Sequence, residues 1–192
     1  MRTLNFKMLQ IAAVLGLLLL TTNLSSAQKL PKRIHIDAQA MGTSTQMGRS
    51  VSIKLIIEEI SSDEERAGMI EAFKQRGNEG LVNSLDKMKS KGRMAVTGTL
   101  GYDVNYVKVF PQPDGSTVLR LVADRPLRFG EVWADSRSSD YALAGVEIVI
   151  SKDRKKNTGT LYPACRLKIG KENELEMELF QNPWKLINIQ RR

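Results

Sequence analysis

From Ile34 onward, apolar and polar residues alternate. Ile34, Ile36 and Ala38 are separated by His35, Asp37 and Gln39, the period-two pattern of a half-buried strand. Val51, Ile53, Leu55 and Ile57 resume the pattern after a Gly, Ser and Thr loop at Met41 to Gly48, so the two segments predict a hairpin. The period changes at Ser61. Ser62 and Glu65 have the spacing of a capping box, and Asp63 and Glu64 suit the positive end of a helix dipole. Met69, Ile70 and Phe73 recur at helical spacing as far as Gly77. After Asn78, a candidate cap, a second apolar stripe of Leu81, Val82, Leu85 and Met88 follows. Residues 61–90 therefore predict a two-helix hairpin that must lay its apolar faces on the sheet.

From Arg93 to the end the chain reads as strands separated by turns. Tyr102 to Phe110 and Thr117 to Val122 flank Pro111-Gln112-Pro113-Asp114-Gly115, whose Pro and Gly supply the dihedrals of a tight turn. A strand interrupted at Gly130 is predicted around Phe129, Val132 and Trp133, and another from Tyr141 to Ile150. In the next hairpin Cys165, Leu167 and Ile169 alternate with Arg166 and Lys168, while Leu175, Met177 and Leu179 alternate with Glu174, Glu176 and Glu178. That arrangement puts apolar residues on one face and opposite charges across from each other on the other. Asn182-Pro183 turns the chain into a closing strand from Trp184 to Ile189. Thr97 to Leu100 and Thr158 to Leu161 echo each other, and both read as strand segments with a permissive glycine. The predicted fold is α+β: a mostly antiparallel β-sandwich or partly open barrel of about eight strands, with the helical hairpin inserted after the second.

The first 27 residues follow a different logic. Arg2 and Lys7, the apolar run Leu9 to Leu20 and the small residues Ser25-Ser26-Ala27 form the three regions of a signal peptide, which predicts a periplasmic or extracellular protein beginning at Gln28. The apolar run is shorter than a spanning helix, and no transmembrane segment is predicted in the mature chain. Residues 28–192 suffice for a single β-rich domain with its own core. Without Arg2 and Lys7, 27 Lys and Arg remain against 21 Asp and Glu, a charge of +6. This favours anionic partners, such as an acidic polymer, lipid head groups or an acidic protein surface. Dispersed surface charge explains the same number without any partner.

No motif assigns a catalytic residue. The chain holds one Cys and one His, but Cys165 falls on an apolar strand face and His35 on a polar one, so they are not placed to act together. His35 and Asp37 share a side of one strand, yet no further ligands stand at metal-binding spacing, and no metal or other cofactor is predicted. Met41 and Met47 bracket a loop. Their thioethers suit Cu(I), but loop edges tucked onto the core account for them more simply. Two basic runs remain as the candidate anion-binding residues: Lys87, Lys89, Lys91 and Arg93, then Lys152, Arg154, Lys155 and Lys156. Neither contains an aromatic platform for nucleic acid. The rival readings are a carrier with an apolar ligand inside the barrel and a hydrolase using His35, Asp37 or Cys165.

Four stretches, Ala40-Met41-Gly42-Thr43-Ser44, Gly101-Tyr102-Asp103-Val104-Asn105-Tyr106, Asp124-Arg125-Pro126-Leu127-Arg128-Phe129-Gly130-Glu131 and Gln181-Asn182-Pro183-Trp184-Lys185-Leu186, resemble segments of a set of uncharacterised exported bacterial proteins with no assigned function. The resemblance implies an exported bacterial setting. It carries no activity, ligand or site residue.

Overall fold

The computed structural model describes residues 33–127, 141–171, 174–179 and 182–192. Strands β1 (Ile34–Met41) and β2 (Ser50–Ile57) form the predicted hairpin, with Ile34 opposite Ile57 and Ala38 opposite Ile53. Helix α1 (Asp63–Lys87) follows, then β3 (Gly92–Val96), β4 (Tyr102–Val104), β5 (Tyr106–Pro111), β6 (Thr117–Ala123), β7 (Leu143–Ile150), β8 (Thr158–Ile169), β9 (Leu175–Leu179) and β10 (Trp184–Arg191). Every pairing is antiparallel, in the order β4-β3-β2-β1-β10-β8-β7-β6-β5, with β9 paired to the distal half of β8. Strands β4 and β5 stand at the two ends of that order yet are joined through Asn105 alone. The chain thereby draws the sheet round into a nearly closed barrel of nine strands. The predicted strand Tyr102 to Phe110 is broken at Asn105 because its two parts serve opposite ends of the sheet.

Alternation decides which residues fill the barrel. Ile36, Ile53, Leu55, Met94, Leu121, Val146, Ile148, Leu161 and Trp184 come from neighbouring strands and are buried. Their register partners carry the same face around the sheet: Leu55 lies opposite Met94, Leu121 opposite Val146, and Leu161 opposite Trp184. All of these side chains are buried, and this face is the barrel interior.

The helices lie on an apolar part of the other face. Met69, Ile70, Leu81 and Leu85 pack with Tyr106, Val122, Leu143, Cys165, Leu167 and Leu175 in a second buried layer. Ser62 caps the helix as predicted. Its hydroxyl accepts from the Glu65 amide at 3.2 Å, and the Glu65 carboxylate accepts from the Ser62 amide at 2.8 Å. Gly77 takes a left-handed φ of 59°, which breaks the helix and turns it back. At Gly80 a methyl group would collide with the Ala72 carbonyl, eight residues earlier, which only a folded-back helix explains. Asn78 does more than mark a helix start: its side-chain oxygen accepts the Leu167 amide of β8 at 3.2 Å and fastens the hairpin to the barrel.

In the β8–β9 hairpin basic residues meet acidic ones across the strands as predicted, with Arg166 opposite Glu178 and Lys168 opposite Glu176. The ion pairs measure 2.6 and 3.8 Å. Three expectations fare differently. Thr97 to Leu100 belongs to the β3–β4 turn, not to a strand, with Gly98 at φ 90° and Gly101 at φ 80° reversing the chain. Met47 is 80 % exposed and so is not tucked onto the core. The strand expected around Phe129 to Trp133 lies outside the described residues. Among the described residues, no helix is long and apolar enough to cross a membrane.

Candidate anion-binding site

Strand β10 has two different neighbours along one edge. Trp184, Lys185 and Leu186 pair with Leu161, Thr160 and Gly159, but β8 begins at Thr158, so the distal half of β10 runs out from beside it. On the other edge β10 stays paired with β1 through a bulge. Asp37 lies opposite Gln190 and Gln39 opposite Ile187, which leaves one extra residue on β10, and Asn188 takes a left-handed φ of 52°.

The gap beside the distal half is bordered by the β7–β8 turn. Asp153 accepts the Lys155 amide at 3.0 Å and winds Arg154–Lys156 into a short 3₁₀ turn. Asn157 then holds that turn to the barrel. Its oxygen accepts the Ser151 amide at 2.8 Å, and its amide nitrogen donates to the Ile189 carbonyl of β10 at 3.3 Å.

Between the turn and the strand lies a cleft of 710 Å³. Arg154 and Lys155 line it from the turn; Arg191 and Arg192 line it from the end of β10. Asn157, Ile189, Asn188 and Gln190 complete the lining, which contains no Asp or Glu. Arg192 is the one partly neutralised cation, its Nε 2.8 Å from the Asp37 carboxylate on β1. Arg154, Lys155 and Arg191 form no ion pair among the described residues. A concave wall concentrates the field of charges that share it, so these cations attract an anion more strongly than the same groups dispersed over a convex surface.

The two basic runs read from the sequence fare unequally. Of the second, only Arg154 and Lys155 line the cleft. Lys156 is exposed in the same turn, and Lys152 leans over Gly115 of the β5–β6 turn. The first run contributes nothing to the cleft. Lys87 and Lys89 are exposed at and beyond the end of α1, and Arg93 faces Asp103 at 3.6 Å.

Lys91 is withdrawn from the surface altogether. It is 3 % exposed, with its ammonium 2.6 Å from Glu59 and 2.8 Å from Glu65, so it ties the helix start to the end of β2 rather than presenting charge to a ligand. Burial alone lowers the affinity of this amine for its proton, but the hydrogen bonds it donates to both carboxylates outweigh that and hold the pKa above the usual lysine value.

Arg191 and Arg192 escaped sequence reasoning. Their signal was a dibasic pair three residues after Asn188, but nothing local says that this strand end faces the turn at Arg154 and Lys155. The remaining candidates lie apart. His35 is exposed on the outer wall, whereas Cys165 is fully buried beneath the helices, and burial pushes its thiol up to about 12. A thiol with that pKa and no solvent access is a poor nucleophile. Labelling with a thiol reagent should therefore be slow in the native protein and rapid in denaturant; fast native labelling would contradict this placement. Among the described residues, no group of three or more His, Cys, Asp or Glu side chains is assembled to hold a metal.

No family model, curated protein or solved structure matches this chain.

Proposed function

We propose that the protein is an exported, non-enzymatic binding domain that engages an anionic partner through the cleft between the β7–β8 turn and the end of β10. The observation that carries this reading is a 710 Å³ cleft bordered by Arg154, Lys155, Arg191 and Arg192 with no carboxylate in its lining. The signal-peptide pattern of residues 1–27 supports action in the periplasm or outside the cell. A binding role also suits a thiol that is fully buried. The carrier reading has less support, because an internal ligand cavity would leave the interior side chains some accessible surface. Ile36, Leu55, Leu121, Ile148 and Leu161 have 1 % or less.

The test is salt elution from immobilised heparin, used as a generic polyanion. Arg191→Glu and Lys155→Glu should each elute at clearly lower salt than the parent. Exposed charges are screened within about 10 Å at 0.1 M salt, so the contribution of the cleft falls steeply as salt rises. Lys87→Glu, which reverses a charge away from the cleft, should elute closer to the parent. If all four proteins elute together, the cleft is ordinary solvated surface and the reading fails.

A further inference from the structure

The outer wall of the barrel carries a second depression that adjoins the cleft. It measures 380 Å³ and is lined by Gln39, Ser52, Lys54 and Thr97 together with Asp37 and the backbone of β1 and β2. Asn188, Gln190 and Arg192 line both depressions. The floor between them is continuous, since the Asn188 side-chain amide donates to the Gln39 amide oxygen at 3.4 Å. From the β7–β8 turn the combined groove crosses β10, β1 and β2 to reach Thr97 beyond β3. That is four strand spacings, roughly 19 Å.

Its chemistry changes along its length. The first end is cationic. Across β1 and β2, Lys54 and Arg192 stand against Asp37, and the remaining lining side chains are amides and hydroxyls. Carboxylates, sulfates and phosphates chiefly accept hydrogen bonds, whereas Asn, Gln, Ser and Thr side chains both donate and accept. A lining of that kind matches a ligand with hydroxyls as well as anionic groups. No aromatic residue lines either depression, which removes the stacking platforms that single-stranded nucleic acid uses. Met47 and Leu100, the large apolar side chains most exposed among the described residues, line neither one, so the groove has no apolar wedge for a bilayer.

We infer that the groove binds a linear acidic polysaccharide, with anionic groups at the Arg154, Lys155 and Arg191 end and sugar hydroxyls over Asn188, Gln190, Gln39 and Ser52. This rests on the cleft being an anion site, and adds the class of ligand and the path it takes.

The experiment titrates the full mature protein by calorimetry with oligogalacturonates from two to ten units. Oligothymidylate, polyglutamate, inorganic phosphate and phosphatidylglycerol vesicles serve as comparison ligands. Affinity should rise at least tenfold with oligogalacturonate length and then level off once the chain spans both depressions. Lys54→Glu and Gln39→Ala, both on the outer wall, should weaken the longest oligogalacturonate several-fold and leave the shortest unchanged, with thermal melting of both variants as a check on folding. Arg191→Glu should weaken every length. Length-independent binding, or binding of oligothymidylate, polyglutamate or vesicles as tight as that of the longest oligogalacturonate, overturns the polysaccharide inference and leaves the anion cleft standing. If Arg191→Glu binds every probe as the parent does, both fall.

Discussion

Leu85→Ala should lower the unfolding free energy by about 2–5 kcal/mol, the usual cost of deleting a large side chain from a close-packed interior. Leu85 is fully buried in the second half of α1 and belongs to the layer formed with Tyr106, Val122, Leu143 and Cys165 on the barrel wall. Those wall residues alternate with interior ones along the same strands: Val122 is flanked by Leu121 and Ala123, and Tyr106 by Val107. A loosened helix layer therefore exposes one face of strands whose other face forms the barrel core. The loss should appear as a single earlier transition, with helical circular dichroism and the fluorescence of buried Trp184, read in a Trp133→Phe background, changing together in denaturant. If the helices melted first while Trp184 held its native signal, the hairpin would be a separable lid and not part of the fold's cooperative unit.

Lys91→Met should cost about 2–3 kcal/mol at neutral pH, because it removes the donor for hydrogen bonds to two carboxylates. The cost stays below that of breaking a fully buried ion pair because the Glu59 side chain is 51 % exposed and can take up water instead. The pH dependence has a definite sign. Burial raises the Glu65 pKa, but the Lys91 ammonium and the Ser62 amide together bring it below the usual glutamate value. Its contribution is therefore present above pH 4.5 and is lost as the pH falls through the depressed folded value. The Lys91 pKa is raised, so its contribution is complete below pH 10.5 and is lost as the pH rises through the elevated folded value. Denaturant melts of parent and variant should differ most between these limits and converge under acid. A difference that is the same at pH 3 and pH 7 would mean that Lys91 acts by packing its alkyl chain and not through its charge.

The contrast between Lys91 and Arg191 shows where sequence reading stops. Both are basic residues near the end of an element. Lys91 ends in an ion-pair network because the chain turns there from the helix to β3 and brings Glu59 and Glu65 within reach. Arg191 keeps its charge for the cleft because β10 outruns β8. No local pattern separates the two, since each outcome depends on partners far away in the chain. The Thr97 to Leu100 segment makes the same point on a smaller scale: it has the composition of the strand at Thr158 to Leu161, but Gly98 and Gly101 take left-handed φ values and make it a turn.

The sequence by itself determined the features that depend on neighbours a few residues apart. Alternation set the strands and their buried faces, including the face of the β8–β9 hairpin on which basic residues meet acidic ones. Ser62 and Glu65 set the helix start, Gly77 marked its break, and the Pro111 to Gly115 turn joined β5 to β6. Period and capping act within a turn or two of chain, so they can be read directly. Only the tertiary structure decided that β4 and β5, separated by one residue, close the two ends of one sheet, that the helices lie on the part of its outer wall around Tyr106, Leu143 and Cys165, and that Arg154 and Lys155 meet Arg191 and Arg192. Those outcomes depend on where the strand order leads the chain and where one strand outruns its neighbour, and such long-range geometry is fixed only when the sheet curls and its faces are packed.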